Sequence, residues 1–284
     1  MPPPPVTDDD GGMPGVPGNR LRELSVDLAA AREHAQGATA LYLDLLTRVL
    51  CGTIYEDPPI PVPWLPHTGY RSATRNAGVD WPSQAHTMIG PIRLGNVRGC
   101  TEQVIADGIP GDLMEAGIWR GGTVIMMRAV LKAHGITSRD VWAADSFAGL
   151  PPASTWDPAD GPPWDQADAL AVTQTEVKRN FAAYGLLDEH VRFLPGWFAD
   201  TLPTAPVGAL AVLRMDADLK TSTETILREM EPKVSPGGYV IVDDYQLPGC
   251  REAVDDYRAA HRIIAPIQQV LGQTSYTVFW RKQE

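Results

Sequence analysis

From Asp112 onward the chain alternates short apolar runs with longer amphipathic stretches. DLMEAG, DVWAADS, VRFLPG, ALAVLRMDAD and GYVIVDD each end on a polar or glycine-rich turn, and segments with helical spacing separate most of them. Strand-length runs alternating with helices predict a parallel sheet wrapped on its faces. Further upstream, residues 20–34 and 39–50 carry apolar side chains at intervals of three and four, as in Leu41, Leu43, Leu45, Leu46 and Val49, which predicts two amphipathic helices. Residues 55–90 are punctuated too often by proline and glycine for long regular elements. A loop of that length is either disordered or a functional cover, and Trp64, Tyr70, Trp81 and Met88 favour a cover that packs on something. The terminal APIQQVLGQTSYTVFWRKQE gives two β-rich runs about a Gly-Gln-Thr turn, suited to closing the sheet as a hairpin. The expected organisation is a disordered Pro/Gly/Asp-rich tail at 1–18, a helical and lid-like extension at 19–90, and one α/β domain at 91–284.

The bulk composition narrows the functional classes. With 284 residues, 44% hydrophobic and 21% charged, the chain can bury a full core. Its formal charge of -11, with no basic stripe, argues against nucleic acid or an anionic membrane as partner. Cys51, Cys100 and Cys250 lie far apart without a C-x-x-C, so neither a disulfide framework nor a zinc knuckle is indicated; reduced thiols fit a cytoplasmic location. No run approaches a membrane span, and the first residues lack the basic and apolar regions of a signal peptide.

Two places carry candidate chemistry. In DLMEAGIWRGGTVIMMRAVL a strand runs through Glu115 into Gly117, Gly121 and Gly122 and then into a helix. Glycines there let a ligand approach the backbone and the helix N-terminus, although G-x-x-x-G-G is a weak signal alone and also fits a plain tight turn. Asp145, closing the next apolar run, is placed to accept hydrogen bonds from a ribose diol, which points to a nucleoside-containing cofactor. No tyrosine has a lysine four positions on, so the short-chain dehydrogenase machinery is missing. The second place is a pair of strand ends. Asp216 and Asp218 follow one apolar run, with alternation putting them on one side, and Asp243 and Asp244 follow another. The intervening LKTSTETILREMEPKVSPG reads as a crossover helix, so the two strands should be parallel neighbours with all four carboxylates at one edge. Such crowding needs a positive partner, and a hard divalent cation on oxygen ligands, magnesium being the usual case, supplies it. Simple N-capping by Asp218 is the competing reading for one of the four.

Together, LYLDLLTRVLCGTIYEDPP, DWPSQAHTMIG, GIWRGGT, DSFAGLPP, RFLPGWFADTLP, LRMDAD and VIVDDY resemble the macrocin O-methyltransferase family, enzymes that methylate sugar hydroxyls of antibiotics. The resemblance implies a class I methyltransferase fold, Rossmann-like, with a seven-stranded, mostly parallel sheet and an antiparallel last strand, N-terminal helices and a long active-site loop. It implies S-adenosylmethionine and Mg2+ as cofactors and a small glycoside as substrate; the apolar faces of the N-terminal helices suit a homo-oligomer, dimer or tetramer. By matching motifs, Asp216, Asp243 and Asp244 correspond to metal ligands and Asp218 to the general base. Glu115, Gly117, Asp145, Ser146, Thr87, Met88 and Trp197 correspond to cofactor contacts. Two departures stand out. Ala217 lies where the family usually has glycine, and Lys220 and Thr221 replace a Tyr-acidic pair, which puts a positive charge near the expected sugar. The inserts around Trp64, His67 and Tyr70 and from Trp156 to Trp164 are further candidates for substrate-specific segments, and His86 is a candidate site histidine that can equally be structural. A D-x-D glycosyltransferase and a non-catalytic binding protein are the competing functions.

Overall fold

A computed structural model describes residues 37–62, 69–161, 167–270 and 277–283. The expected tail, the expected helix at 20–34, Trp64, His67, Trp164 and the turn of the C-terminal hairpin lie outside the described residues. Seven strands form one sheet: β1 (Asp112–Ala116), β2 (Val141–Asp145), β3 (Val191–Pro195), β4 (Leu210–Met215), β5 (Val234–Val242), β6 (Gln268–Gln269) and β7 (Val278–Arg281). Their order is β3-β2-β1-β4-β5-β7-β6. The first five are mutually parallel, and β7 runs antiparallel to both β5 and β6. Sheets of this kind are covered on both faces, which is why β4 is buried at every position instead of alternating.

The helices divide between the two faces. On one side α1 (Ala38–Leu50), α3 (Gly90–Ala106), α4 (Gly122–Ala133) and α5 (Gln174–Ala183) bury Leu43, Leu94, Val97, Ile125, Val130 and Phe181 against Leu113, Val212 and Ile241. On the other, α7 (Lys220–Met230) and α8 (Pro248–Ala260) pack Ile226, Leu227, Met230 and Val254 against Met114, Leu213, Met215 and Val240. The short helices α2 (Ser72–Ala77) and α6 (Phe198–Thr201) belong to connecting segments. The outer face of α1 leaves Leu41, Tyr42 and Leu45 exposed. Among the described residues no helix is long and apolar enough to cross a membrane. All three cysteines are free and buried, and burial pushes the Cys51 and Cys100 thiols up to about 12, which leaves them poor nucleophiles.

The described parts of the long proline-rich connection are tied together by buried polar groups. Arg75 on α2 is fully buried; its guanidinium bonds Asp80 (Nε to Oδ1, 2.9 Å), the Cys51 carbonyl and the Asp57 carbonyl (each 2.7 Å). The Asp57 carboxylate in turn accepts from Ser83 Oγ and from the Gln84 and Ala85 amides, and these bonds hold its carboxyl below the usual range despite burial. This unit docks on the domain through backbone contacts: the His86 and Thr87 amides donate to the Leu50 carbonyl, and Gly122 N donates to the His86 carbonyl at 2.9 Å. Arg120 adds bonds from Nη1 to the Pro82 and Ala85 carbonyls. Because Asp80 is as buried as Arg75, Arg75→Met strands an unpaired carboxylate and is expected to cost about 3–5 kcal/mol in denaturant unfolding. A loss below about 1 kcal/mol, the scale of an exposed pair, would mean that the connection does not unfold together with the sheet.

Candidate active site

Pairing register decides which side chains share a face. Glu115 lies beside Arg214, and Arg214 beside Ile241, so period-two alternation brings Glu115, Arg214, Asp216 and Asp243 to the face that α3 covers. Arg214, on the central strand and fully buried, is the hub. Its Nη1 binds Glu115 Oε1 and Asp216 Oδ2, the latter at 2.9 Å, and its Nη2 lies 2.6 Å from Asp243 Oδ1. From α3, Arg93 reaches the same cluster and pairs with Asp243 Oδ2. Thr277 Oγ1 donates to Asp243 Oδ1 at 3.3 Å. Part of the positive charge that four crowded aspartates require is therefore supplied by the protein, a correction to the expectation that a cation alone provides it. Neither arginine was singled out in the sequence. Arg214 did leave a signal: a charged residue inside an otherwise apolar strand run, followed by acids. Arg93 left none, since it stands 150 residues from its partner.

Two guanidiniums do not balance the five carboxylates of Glu115, Asp216, Asp218, Asp243 and Asp244. Burial would raise Asp243, yet Arg214 and Arg93 hold it below the usual carboxylate range. Asp216 is raised by burial and by Asp243, with Arg214 opposing. Burial, then Asp216, Asp218 and Asp243, push Asp244 far upward. Burial together with Asp216 and Asp243 lifts Asp218 to about 8. Carboxyl oxygens of Asp216, Asp243 and Asp244 lie within 4.8 Å of one another, an all-oxygen donor set with excess negative charge, which fits a hard divalent cation. These are the three aspartates expected as a ligand set.

Asp218 stands apart from the three for a backbone reason. Strand β4 ends at Met215, and the chain then turns tightly, Leu219 N donating to the Ala217 carbonyl and Asp218 adopting φ of 59°. The ladder runs one bond past each strand end, Asp216 N donating to the Ala116 carbonyl and Asp243 N to the Met215 carbonyl, and stops there, so alternation places Asp216 and Asp243 but does not carry on to Asp218. The Asp218 amide donates to Asp244 Oδ2 at 3.0 Å, which joins the two strand ends. Nor is Asp218 the cap of α7. The N-cap position is Leu219, and Asp160 Oδ1, from the segment after β2, accepts from the Lys220 amide at 2.7 Å.

The glycine turn after β1 is filled by protein more than was expected. A Cβ on Gly117, at φ of 87°, would overlap the Asp216 carbonyl; one on Gly122 would overlap that of His86; one on Gly121 would press on Val177. These glycines permit close approach of chain to chain. Glu115 Oε1 goes to Arg214, while Oε2 is buried with no protein hydrogen-bond partner, and burial raises its carboxyl to about 8. Asp145 accepts from the Ile118 and Phe147 amides, both at 2.8 Å, so it organises the turn, and burial raises its carboxyl. Ser146 Oγ donates to the Gly149 carbonyl and accepts from the Ala148 amide. Thr87 is buried under Ile89, with Met88 half-buried beside it, and Trp197 is exposed at the start of α6. His86 Nδ1 is 2.6 Å from the Tyr184 hydroxyl and burial lowers its pKa, so the structure gives it a structural partner. Lys220 does not offer a free charge: its Nζ pairs with Glu252 at 2.7 Å.

The sheet order, with five parallel strands and an antiparallel β7 inserted between β5 and β6, is that of a class I methyltransferase, a fold whose methyl donor is S-adenosylmethionine. The family described as Macrocin-O-methyltransferase (TylF) matches residues 65–282, and the chain belongs to that family of O-methyltransferases. It is 54% identical over 230 residues to the demethyldecarbamoylnovobiocin O-methyltransferase of Streptomyces niveus, covering 78% of this chain and 86% of that protein. To the 8-demethyl-8-(2,3-dimethoxy-alpha-L-rhamnosyl)-tetracenomycin-C 4'-O-methyltransferase of Streptomyces olivaceus it is 50% identical over 254 residues, covering 87% and 94%. The mycinamicin III 3''-O-methyltransferase of Micromonospora griseorubida is 45% identical, with 85% and 96% covered. Among solved structures, the O-methyltransferase NovP superposes with a TM-score of 0.81 at 50% identity, over 87% of this chain and 100% of that one. The glycosyltransferase and non-catalytic readings give way to this membership. Asp145→Ala is expected to weaken S-adenosylhomocysteine binding by about 1–3 kcal/mol in calorimetry, the scale of losing hydrogen bonds to a charged group. Unchanged affinity would remove Asp145 from the cofactor side.

Proposed function

We propose that this O-methyltransferase transfers the methyl group of S-adenosylmethionine to a sugar hydroxyl of a glycosylated natural product, with Mg2+ held by Asp216, Asp243 and Asp244 and with Asp218 as general base. The observation that carries the reading is the all-oxygen cluster beside Asp218 at one sheet edge, negative beyond what Arg93 and Arg214 offset. The acceptors for which the relatives are named, demethyldecarbamoylnovobiocin, a rhamnosyl tetracenomycin C and mycinamicin III, support the substrate class. Glu115, Gly117, Asp145 and Ser146, with Thr87, Met88 and Trp197, form the proposed cofactor side.

An unactivated alcohol loses its proton only at a pKa of about 16, close to that of water. A divalent cation in the cluster supplies the missing acidity by lowering the pKa of an oxygen it touches. The protein's own contribution is placement. Asp243 is clamped by Arg93, Arg214 and Thr277, so its oxygens are oriented before any ligand arrives. Asp218, held by the turn after β4 and by its amide bond to Asp244, takes the proton at its carboxylate while the acceptor oxygen attacks the sulfonium methyl.

Turnover is expected to vanish in excess EDTA and to return with MgCl2; full activity under chelation would end the cation reading. A second measurement separates the aspartates. Asp216→Asn should weaken Mg2+ binding and turnover together, whereas Asp218→Asn should retain Mg2+ and cofactor while kcat falls by roughly 10²–10⁴, the contribution of a positioned base. Titration calorimetry beside single-turnover rates distinguishes them, and near-normal turnover in Asp218→Asn would transfer the proton to another group.

A further inference from the structure

Arg93 touches three structures at once. Its Nε donates to the Ile89 carbonyl at 2.9 Å, Nη2 donates to the Gly78 carbonyl at the end of α2, and Nη1 pairs with Asp243 Oδ2. The side chain is 7% exposed. A guanidinium is planar and its donors point in fixed directions, so the three bonds form or fail nearly as a set. The Gly78 bond ends on the cover formed by residues 69–88, the Ile89 bond ends on the N-cap of Arg93's own helix α3, and the third ends on the carboxylate cluster. The cover has no slack at this point. Gly78 sits at φ of 65° where a Cβ would overlap the Ile89 carbonyl and crowd Arg93 Nη2, and Gly90, at φ of 73°, packs its Cα against the Arg75 carbonyl and the Gly78 amide.

We propose that Arg93 is a positioning residue that couples docking of the cover to the cation affinity of the carboxylate cluster. The inference rests on the reading of Asp243 as a ligand. With the cover docked, Arg93 is fixed by the Gly78 and Ile89 carbonyls and holds Asp243 Oδ2 from one side, while Arg214 and Thr277 hold Oδ1 from the other. A carboxylate has about four lone-pair sites, so this clamp leaves an oxygen direction open and already oriented. Binding to an oriented ligand avoids the ordering cost that a free side chain incurs. When the cover lifts, Arg93 loses the Gly78 carbonyl that orients its Nη2, and the outer clamp on Asp243 loosens. The cation therefore favours the docked cover, and linkage requires that it stabilise docking by the same factor.

Arg93→Lys is the informative variant because it retains the positive charge and loses the fork. Any fall in cation affinity then reflects geometry, since removal of a repelling charge would act in the opposite direction. Titration calorimetry with MgCl2 is expected to show Kd raised by roughly tenfold, within the usual span of coupling between sites. In the wild type, amide hydrogen exchange at Gly78 and Val79, whose amides bond the Arg75 and Thr74 carbonyls, is expected to slow when MgCl2 is added. In Arg93→Lys that response should be lost. Gly78→Ala perturbs the same linkage from the cover side, its Cβ meeting the Ile89 carbonyl and Arg93 Nη2 but no carboxylate of the cluster, and it too should raise the Mg2+ Kd while S-adenosylhomocysteine still binds, which shows that both variants are folded. If Gly78→Ala speeds exchange in the cover and leaves the Mg2+ Kd unchanged, the coupling is refuted while the ligand reading stands. If the wild type gives no Mg2+ binding at all, both fall together.

Discussion

A guanidinium buried on the central strand of the sheet is the constraint from which the rest of the site follows. Arg214 is within contact of Glu115 on β1, Asp216 after β4 and Asp243 after β5, so one charge fixes the relative positions of three neighbouring strand ends. Burying a charge of this kind without partners is prohibitive, and burying it among too many acids leaves negative charge over. The molecule has taken the second course. Asp244 and Asp218, which meet no cation of the protein among the described residues, are the groups pushed furthest from ordinary carboxylate behaviour. The energetic frustration is local and lies where a ligand can relieve it.

The same economy shapes the turn after β1. Its glycines look from the sequence like clearance for a cofactor, yet each is occupied by a piece of the protein: Asp216 at Gly117, Val177 at Gly121, His86 at Gly122. The cofactor side, the cluster and the cover are thus packed through shared backbone contacts, and a methyl group added in the turn would push on all of them. Asp145 belongs to this arrangement, since each of its oxygens accepts one amide, Ile118 on Oδ2 and Phe147 on Oδ1, with a lone pair left on each.

What was legible in the sequence was what depends on neighbours along the chain. Runs such as ALAVLRM and GYVIV declare strands because burial on both faces demands continuous apolar residues, and the crossover between them leaves Asp216 and Asp243 at one edge. Hidden were the contacts set by tertiary packing. Nothing near Arg93 or Arg75 announces that a fully used guanidinium lies there, and Asp160 reads as one more polar residue of a loop until it is seen on the Lys220 amide. Asp218 misled for a related reason: period-two reasoning holds only while the chain stays extended, and the strand stops at Met215.

The two departures from the family pattern find their reasons in the same geometry. Where the family usually has glycine between the aspartates, this chain has a buried Ala217, whose backbone is not left-handed; the left-handed residue of the turn is Asp218. Aspartate is among the few residues that tolerate that region, so the turn accommodates alanine at 217 and presents Asp218 beside Asp244. Lys220, expected as a free charge near the sugar, is neutralised by Glu252, and its amide is held by Asp160. Asp160 can approach because Gly249 at the start of α8 has no side chain to meet it. The segment after β2 is thereby anchored on the first turns of α7 and α8, two residues from Asp218 and a few from Asp244; the anchor uses the backbone amide of residue 220, which any residue but proline offers, while the Lys220 side chain ties α7 to Glu252 of α8.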